Sequence, residues 1–261
     1  MKDNRPFTSR KWDAAYRYLL WHSSMANSHN LYIAEFPKSG GTWLSQMLSE
    51  LTDLPFPRNA SVAQQPCIIH GHHLIKVNDK KVVHLIRDGR DIMVSAYHYF
   101  LLNDQIDPRR KRYWRDKMKA ENIDNVKINL SSFIKIFINN FRSGWSVKTW
   151  PKYVNHYQNR PLTIQIKYEE LNQNTEATMT KLMYSLGITF RKEKLKAVIK
   201  KYHFETQTGR KKGEENPKSF LRKGSVNDWK NFFTKESAEV FNFYAGDALI
   251  RAGYESNKNW Y

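Results

Sequence analysis

The sequence predicts an α/β protein, a single domain over residues 1–261 whose central parallel sheet is flanked by helices. Three observations predict it. Four short runs rich in Val, Ile and Leu (Leu31–Phe36, Cys67–Gly71, Lys81–Arg87 and Leu162–Lys167) are bounded by turn or polar residues, as buried strands are. Stretches with apolar residues at helical spacing alternate with them, and such alternation favours parallel pairing with the ligand at the carboxyl ends of the strands. With 261 residues, 40% of them hydrophobic, the chain is long enough to bury one sizeable core.

Each element has its own signal. Trp43–Leu54 follows the first strand and carries Leu44, Met47, Leu48 and Leu51 on one helical face. Asp88–Leu102 follows the third strand, and Ser131–Phe141 and Trp145–Tyr157 precede the fourth. Asn174 reads as the N-cap of a helix with Met179, Leu182, Met183 and Leu186, which Gly187 stops. Thr234 caps a last helix with Phe241, Tyr244, Ala245, Ala248 and Leu249, ending near Gly253. Leu102–Asn129 breaks the pattern, being polar, basic and poorly periodic, so residues 103–129 are either a lid or an ordinary insertion. Seven cationic residues fall in Arg109–Lys119, together with Tyr113 and Trp114. They either draw an anionic substrate to an entrance or form a solvated loop.

Composition narrows the partners. No run of about 18 apolar residues occurs, so no transmembrane segment is expected, and the first residues open no apolar signal-peptide core. Cys67 is the one cysteine, which leaves no internal disulfide and fits a reducing, cytoplasmic location. A formal charge of +18 is compatible with nucleic acid, an acidic membrane surface or an acidic glycan. No nucleic-acid motif, internal repeat or low-complexity linker accompanies it, and no nucleic-acid partner is expected.

Glu35-Phe36-Pro37-Lys38-Ser39-Gly40-Gly41-Thr42-Trp43 joins the first strand to the first helix. A strand feeding a Gly-Gly turn and a helix start makes an anion site, because backbone N–H groups and the positive helix end point into the turn. Lys38 adds a charge, and Ser39 and Thr42 add hydroxyls, which predicts a nucleotide-like ligand. The loop is not a Walker A motif, in which Lys follows the last Gly and precedes Ser or Thr; here Lys38 precedes both glycines. Val82–His98 gives a second strand, charged turn and helix. Asp88 and Asp91 suit the first turn of that helix. Arg87 ends the strand on the same rim as Lys38, and Ser95 lies about two turns into the helix. An Arg and a hydroxyl converging there would clamp a phosphate; the plainer alternative is an Arg–Asp surface pair beside a helix Ser.

Pro37–Trp43 resembles the 5′-phosphosulfate loop of sulfotransferases that use 3′-phosphoadenosine 5′-phosphosulfate (PAPS), written P-K-S-G-T-T-W in cytosolic members, with Gly41 in place of the first Thr. Arg87 and Ser95 match the family's 3′-phosphate motif, an Arg and a Ser eight residues apart. Arg222-Lys223-Gly224-Ser225-Val226-Asn227-Asp228-Trp229-Lys230-Asn231 resembles the family's R-K-G-x-x-G-D-W-K-N loop. Asn227 replaces the second Gly there, and Asn tolerates a left-handed backbone better than most residues. The matches run in order from about residue 31 to residue 234, and the chain is identified as a member of that family. The resemblance implies a P-loop-NTPase-like sulfotransferase fold with PAPS as cofactor. It places Lys38, Ser39, Gly40, Gly41 and Thr42 on the 5′-phosphosulfate, and Arg87, Ser95, Arg222, Lys223 and Gly224 on the 3′-phosphate. Trp43 and Phe204 resemble the aromatics that stack on adenine, and Tyr168 matches the Tyr that contacts the base.

The implied reaction moves a sulfuryl group to a hydroxyl or amine of a small-molecule or glycan acceptor, anionic ones included. Nucleophile, sulfur and leaving oxygen must align, and positive groups must meet the charge on the leaving phosphate, which suits Lys38. The acceptor must also lose a proton, which suits histidine. Ile68-Ile69-His70-Gly71-His72-His73-Leu74 supplies three. Against the family's K-x-H-L segment, His72 takes the place of the catalytic base and His70 that of the Lys; His73 takes over from His72 if the strand ends one residue later. The catalytic set is then His72, Lys38, His70 and Ser95. Cys67-x-x-His70-x-His72 also has ligand types suited to zinc, but no second cluster follows, and no metal is expected. Tyr97, Tyr99, Phe100, Trp145 and Trp150 either line an aromatic acceptor pocket or pack the core. A rival class is a nucleotide-binding or basic interaction protein without sulfotransferase activity; the presence of both Lys38 and His72 argues against it.

Overall fold

The computed structural model describes residues 7–24, 29–58, 66–140, 142–143, 146–147 and 149–261. In chain order its elements are α1 (Phe7–His22), β1 (Leu31–Glu35), α2 (Gly41–Thr52), β2 (Ile68–Gly71), β3 (Val82–Ile86) and α3 (Gly89–Tyr97), which runs on as a wide π-helical turn over His98–Leu102. There follow α4 (Pro108–Met118), α5 (Val126–Asn140), the short β4 (Arg142–Ser143) and β5 (Ser146–Val147), α6 (Trp150–Gln158) and β6 (Thr163–Lys167). After these come α7 (Tyr168–Gln173), α8 (Thr175–Leu186), α9 (Lys192–Tyr202), α10 (Phe204–Thr208), a 3-10 turn (Asp228–Asn231) and α11 (Lys235–Arg251). The described residues form two compact units. The first draws on Met1–Glu35, Gly40–Leu85 and Asn159–Tyr202, the second on Phe36–Ser39, Ile86–Gln158 and His203–Tyr261.

The first unit holds the sheet, in the order β2-β1-β3-β6, with β1 parallel to both neighbours. The expected α/β class and parallel pairing are therefore present. Side chains alternate across the sheet. Leu31, Ile33, Val83, Leu85 and Ile166 gather with Leu44, Met47 and Leu48 of α2, Met179, Leu182 and Met183 of α8, and Leu195 and Val198 of α9. Burying each such side chain stabilises the fold by roughly 1.5–3 kcal/mol. Tyr32, on the other face of β1, meets Trp21 of α1 edge-on at 5.3 Å between ring centroids. Burial on both faces explains why the strands read as apolar runs.

The second unit is helical and aromatic. Phe36 packs against Phe137 and Tyr153, and Trp114 against Phe100, Phe133 and Phe137. Trp150 meets Phe241, and the buried Tyr97 donates its hydroxyl to Ile123 O at 2.7 Å. Core packing thus accounts for Tyr97, Phe100 and Trp150, while Trp145 lies outside the described residues.

Several boundaries depart from the sequence reading. The segment expected to be poorly periodic contains α4, which Pro108 starts and the Asp107 carboxylate caps by accepting from Arg109 N at 2.8 Å. Its buried residues are Trp114 and Met118. Two apolar positions among charged neighbours are too few to register as a helical stripe. Helix α5 begins at Val126 rather than Ser131, and α6 at Trp150 rather than Trp145, because β4 and β5 pair antiparallel just before it. Asn174 precedes α8 without a side-chain cap, whereas Gly187 ends that helix at φ 73 as expected. Thr234 and Ser237 form a reciprocal capping box on α11. Among the described residues no helix is long and apolar enough to cross a membrane.

Candidate active site

The site starts where β1 runs out, in a stretch whose residues Phe36–Ser39 are counted with the second unit and whose residues from Gly40 on are counted with the first. Gly40 takes φ 100, and a Cβ there would lie 2.8 Å from the Tyr168 ring, so both the backbone and the neighbour require glycine. Just before it, Lys38 is also left-handed, at φ 74. The loop spends much of its polarity internally. Ser39 donates both its N–H (3.2 Å) and its hydroxyl (2.7 Å) to Phe36 O, so that hydroxyl is turned inward rather than offered to a ligand. Trp43 and Leu44 donate to Gly40 O, and the Gly41 N–H donates to the Glu35 carboxylate. The N–H groups of Gly40 and Thr42 take no part in these bonds and sit at the positive end of α2. That end suits an anion such as a cofactor phosphate. The Trp43 indole donates to Tyr202 O at 3.0 Å and lies edge-on to Tyr168, which fixes the two rings expected to meet a base.

Glu35, the last residue of β1, organises the histidines of β2 and the turn after it. His70 Nε2 donates to Glu35 Oε1 at 3.0 Å. His72 Nδ1 lies 3.1 Å from the Glu35 carbonyl oxygen. A carbonyl oxygen only accepts, so Nδ1 carries the proton and, in the neutral ring, Nε2 carries the lone pair. That tautomer is the one a base needs. His73 is turned elsewhere, stacked on Trp21 and edge-on to His22. Burial pushes the Glu35 carboxyl up, but the hydrogen bond from His70, the charges of His70 and His72 and the Gly41 N–H outweigh it, holding the pKa below the usual carboxylate value. Cys67 is buried before β2, and burial raises its thiol pKa. Sequence reasoning missed Glu35, although a charged residue closing an apolar strand was a usable signal.

In the second unit, Lys38 Nζ lies 4.0 Å above the Tyr99 ring and 4.5 Å above Phe220. Of the aromatics suggested for an acceptor pocket, Tyr99 thus stands beside Lys38. The Lys38 carbonyl accepts from Arg87 Nη1 at 3.0 Å, so the loop lysine and the phosphate-motif arginine are joined directly. Arg87 also lies 3.8 Å from Asp91. Asp91 in turn accepts from Asn227 N at 2.8 Å and Trp229 N at 2.9 Å, tying the 222–231 loop to α3. Asn227 is left-handed at φ 59, as a residue in place of glycine must be. Ser95 stands half-buried on α3.

Arg222 and Lys223 converge on one carboxylate, Asp228, and Arg222 also pairs with Glu215. Burial pushes Asp228 up, but Lys223 and Arg222 more than reverse this and set its pKa at about 2. His98, buried beside them, is pushed down to about 3 by burial and then by Arg222, so it is neutral at physiological pH. Gly224 takes φ 66, with Phe204 where a Cβ would point. The structure therefore gathers Phe204, Arg222, Lys223 and Gly224 in one cluster, and adds Asp91, Asp228 and Glu215, which motif reading did not assign.

Comparison with known proteins supplies the family. Residues 60–253 match the model of the sulfotransferase domain, and the 37–43 loop precedes that stretch. Sulfotransferase 1B1 of Mus musculus is 26% identical over an alignment that covers 82% of this chain and 80% of the relative. Amine sulfotransferase of Oryctolagus cuniculus is 21% identical over an alignment that covers 82% of this chain and 78% of the relative. Mouse sulfotransferase SULT7A1 complexed with PAP has the same fold at a TM-score of 0.65 and 18% identity, with 94% of each chain covered. Retinol dehydratase in complex with retinol and PAP gives 0.61 at 14% identity, covering 92% of this chain and 86% of the other. Because the domain match spans well over half of the sequence, the chain belongs to the sulfotransferase family, enzymes whose sulfuryl donor is PAPS.

Proposed function

We propose that residues 1–261 work as one sulfotransferase domain that moves a sulfuryl group in line from PAPS to a hydroxyl or amine of a small-molecule or glycan acceptor. When bound, PAPS supplies an activated sulfuryl group and a phosphate leaving group. His72 is the general base and Lys38 stabilises the leaving phosphate. Gly40 and Thr42 cradle the 5′ end, with Ser39 and Gly41, whose donors are spent on Phe36 and Glu35, shaping the turn, and Arg87, Ser95, Arg222, Lys223 and Gly224 hold the 3′-phosphate. Trp43, Tyr168 and Phe204 flank the adenine. His70, in the place of the family's Lys, assists through its pairing with Glu35.

The observation that carries this reading is the tautomer of His72. Its Nδ1 donates to a backbone carbonyl, so Nε2 is left basic without any proton rearrangement. The packing of His73 on Trp21 supports His72 over His73. A transfer assay with labelled PAPS against phenols, alcohols, amines and an acidic oligosaccharide tests the reading. Label should pass to at least one acceptor with the parent chain and to none with His72→Ala. Tight cofactor binding with no transfer to any acceptor would favour the non-catalytic binding protein.

A further inference from the structure

We propose that Glu35, His70 and His72 form a binding site for a borderline divalent cation of the Zn²⁺ type, and that occupancy of the site switches transfer off. These three residues offer ligand atoms that all lie within 4.8 Å of one another. Two imidazoles and a carboxylate are a zinc donor set and a poor one for Mg²⁺ or Ca²⁺, which take oxygen ligands. With bonds of about 2.0–2.2 Å, tetrahedral ligands stand about 3.3 Å apart. His70 Nε2 and Glu35 Oε1, hydrogen-bonded at 3.0 Å, need to part by only a few tenths of an ångström to reach that spacing once a cation replaces the shared proton. Glu35 is buried and is held from behind by the Gly41 N–H. His72 is held by the Glu35 carbonyl, and His70 sits on β2, paired in parallel with β1. Glu35 and His70 therefore stand on paired strands, and His72 on the bend that directly follows β2.

The donor set differs from the Cys67-x-x-His70-x-His72 pattern of the sequence, because β1–β2 pairing brings Glu35 to the histidines while Cys67 stays outside the group. A cation there takes a lone pair from His72 and adds two positive charges beside it, so His72 can no longer accept the acceptor's proton. Inhibition rests on the assignment of His72 as base; metal binding itself does not.

The test is calorimetry of the full chain with ZnCl₂ near neutral pH, with MgCl₂ as the hard-cation comparison. Transfer is measured at matched Zn²⁺ concentrations. The parent chain should bind one Zn²⁺ ion at this site and lose activity in step, regaining it with EDTA. Glu35→Gln and His70→Ala should each weaken that binding by more than about tenfold, since even outer-shell losses at metal sites cost 10–100-fold. Binding of 3′-phosphoadenosine 5′-phosphate (PAP) reports whether each variant is folded, and His70→Ala carries the test alone if Glu35→Gln is not. Zn²⁺ affinity unchanged in a folded variant, or no binding by the parent chain, overturns the site. Binding that is lost in the variants but leaves parental transfer intact keeps the site and overturns His72 as base.

Discussion

Gly224→Ala probes the loop proposed to hold the 3′-phosphate most sharply. The residue sits at φ +66, and a Cβ added there would lie 2.5 Å from a Phe204 ring carbon. Two costs follow. A left-handed backbone is unfavourable for alanine by about 1–2 kcal/mol, and forcing an extra methyl into a packed contact costs about 1–3 kcal/mol. Gly209 separates them, because it has nearly the same backbone, φ +68, with nothing within 4 Å of its Cβ position. Gly209→Ala should therefore pay the first cost alone, and Gly224→Ala both. Urea unfolding of the two variants should differ by about 1–3 kcal/mol, with Gly224→Ala the weaker. If Phe204 stacks on adenine, displacing its ring should also weaken PAP binding several-fold in Gly224→Ala, from a stacking contribution of about 0.5–1.5 kcal/mol. Equal stabilities would refute the packing of Phe204 on Gly224. A destabilised variant with parental PAP affinity would remove Phe204 from the adenine site.

His72→Ala should abolish transfer with little change in PAP affinity, and Lys38→Ala should damage both; activity that survives His72→Ala but not His73→Ala would move the base by one residue. Asp228 has a depressed pKa, so the stability it confers is fully present above its unfolded value near 3.8 and is lost as pH falls through about 2. The destabilisation caused by Asp228→Asn should accordingly shrink between pH 4 and pH 2 in denaturant titrations, and a pH-independent gap would sink the Arg222–Lys223–Asp228 assignment. Arg110 and Arg112 are exposed on α4, and Lys111 lies 3.8 Å from Asp104. If α4 steers an anionic acceptor, its KM should rise with salt, and replacing these three by Gln should flatten that slope; an unchanged slope would favour an uncharged acceptor.

What the sequence made legible was local. Strands appeared because burial on both faces leaves apolar runs such as Leu31-Tyr32-Ile33-Ala34, and the 37–43 turn appeared because a Gly-Gly pair separates strand from helix, with Gly40 found left-handed. Asn227 could be placed in a glycine position from its own backbone tolerance, and it is found there. What stayed hidden depends on pairing between distant segments or on sparse patterns. Glu35 meets His70 only because β1 and β2 align, with Ala34 beside Gly71, and no periodicity in either strand encodes that register. The inward turn of the Ser39 hydroxyl is likewise a consequence of loop geometry, not of residue type. Helix α4 was obscured because Trp114 and Met118 are its whole buried stripe. The cations of the second loop were legible, but the single carboxylate that collects them, Asp228, was read only as part of a motif.

The most direct test of the account is calorimetry of the parent chain with PAP and with 5′-AMP, which differ at the 3′-phosphate that Arg87, Ser95, Arg222 and Lys223 are assigned to hold, and at nothing else. A charge-assisted hydrogen bond contributes about 1.5–3 kcal/mol, so PAP should bind about tenfold or more tightly than 5′-AMP. Equal affinities would contradict the 3′-phosphate site and, with it, PAPS as the donor for this chain.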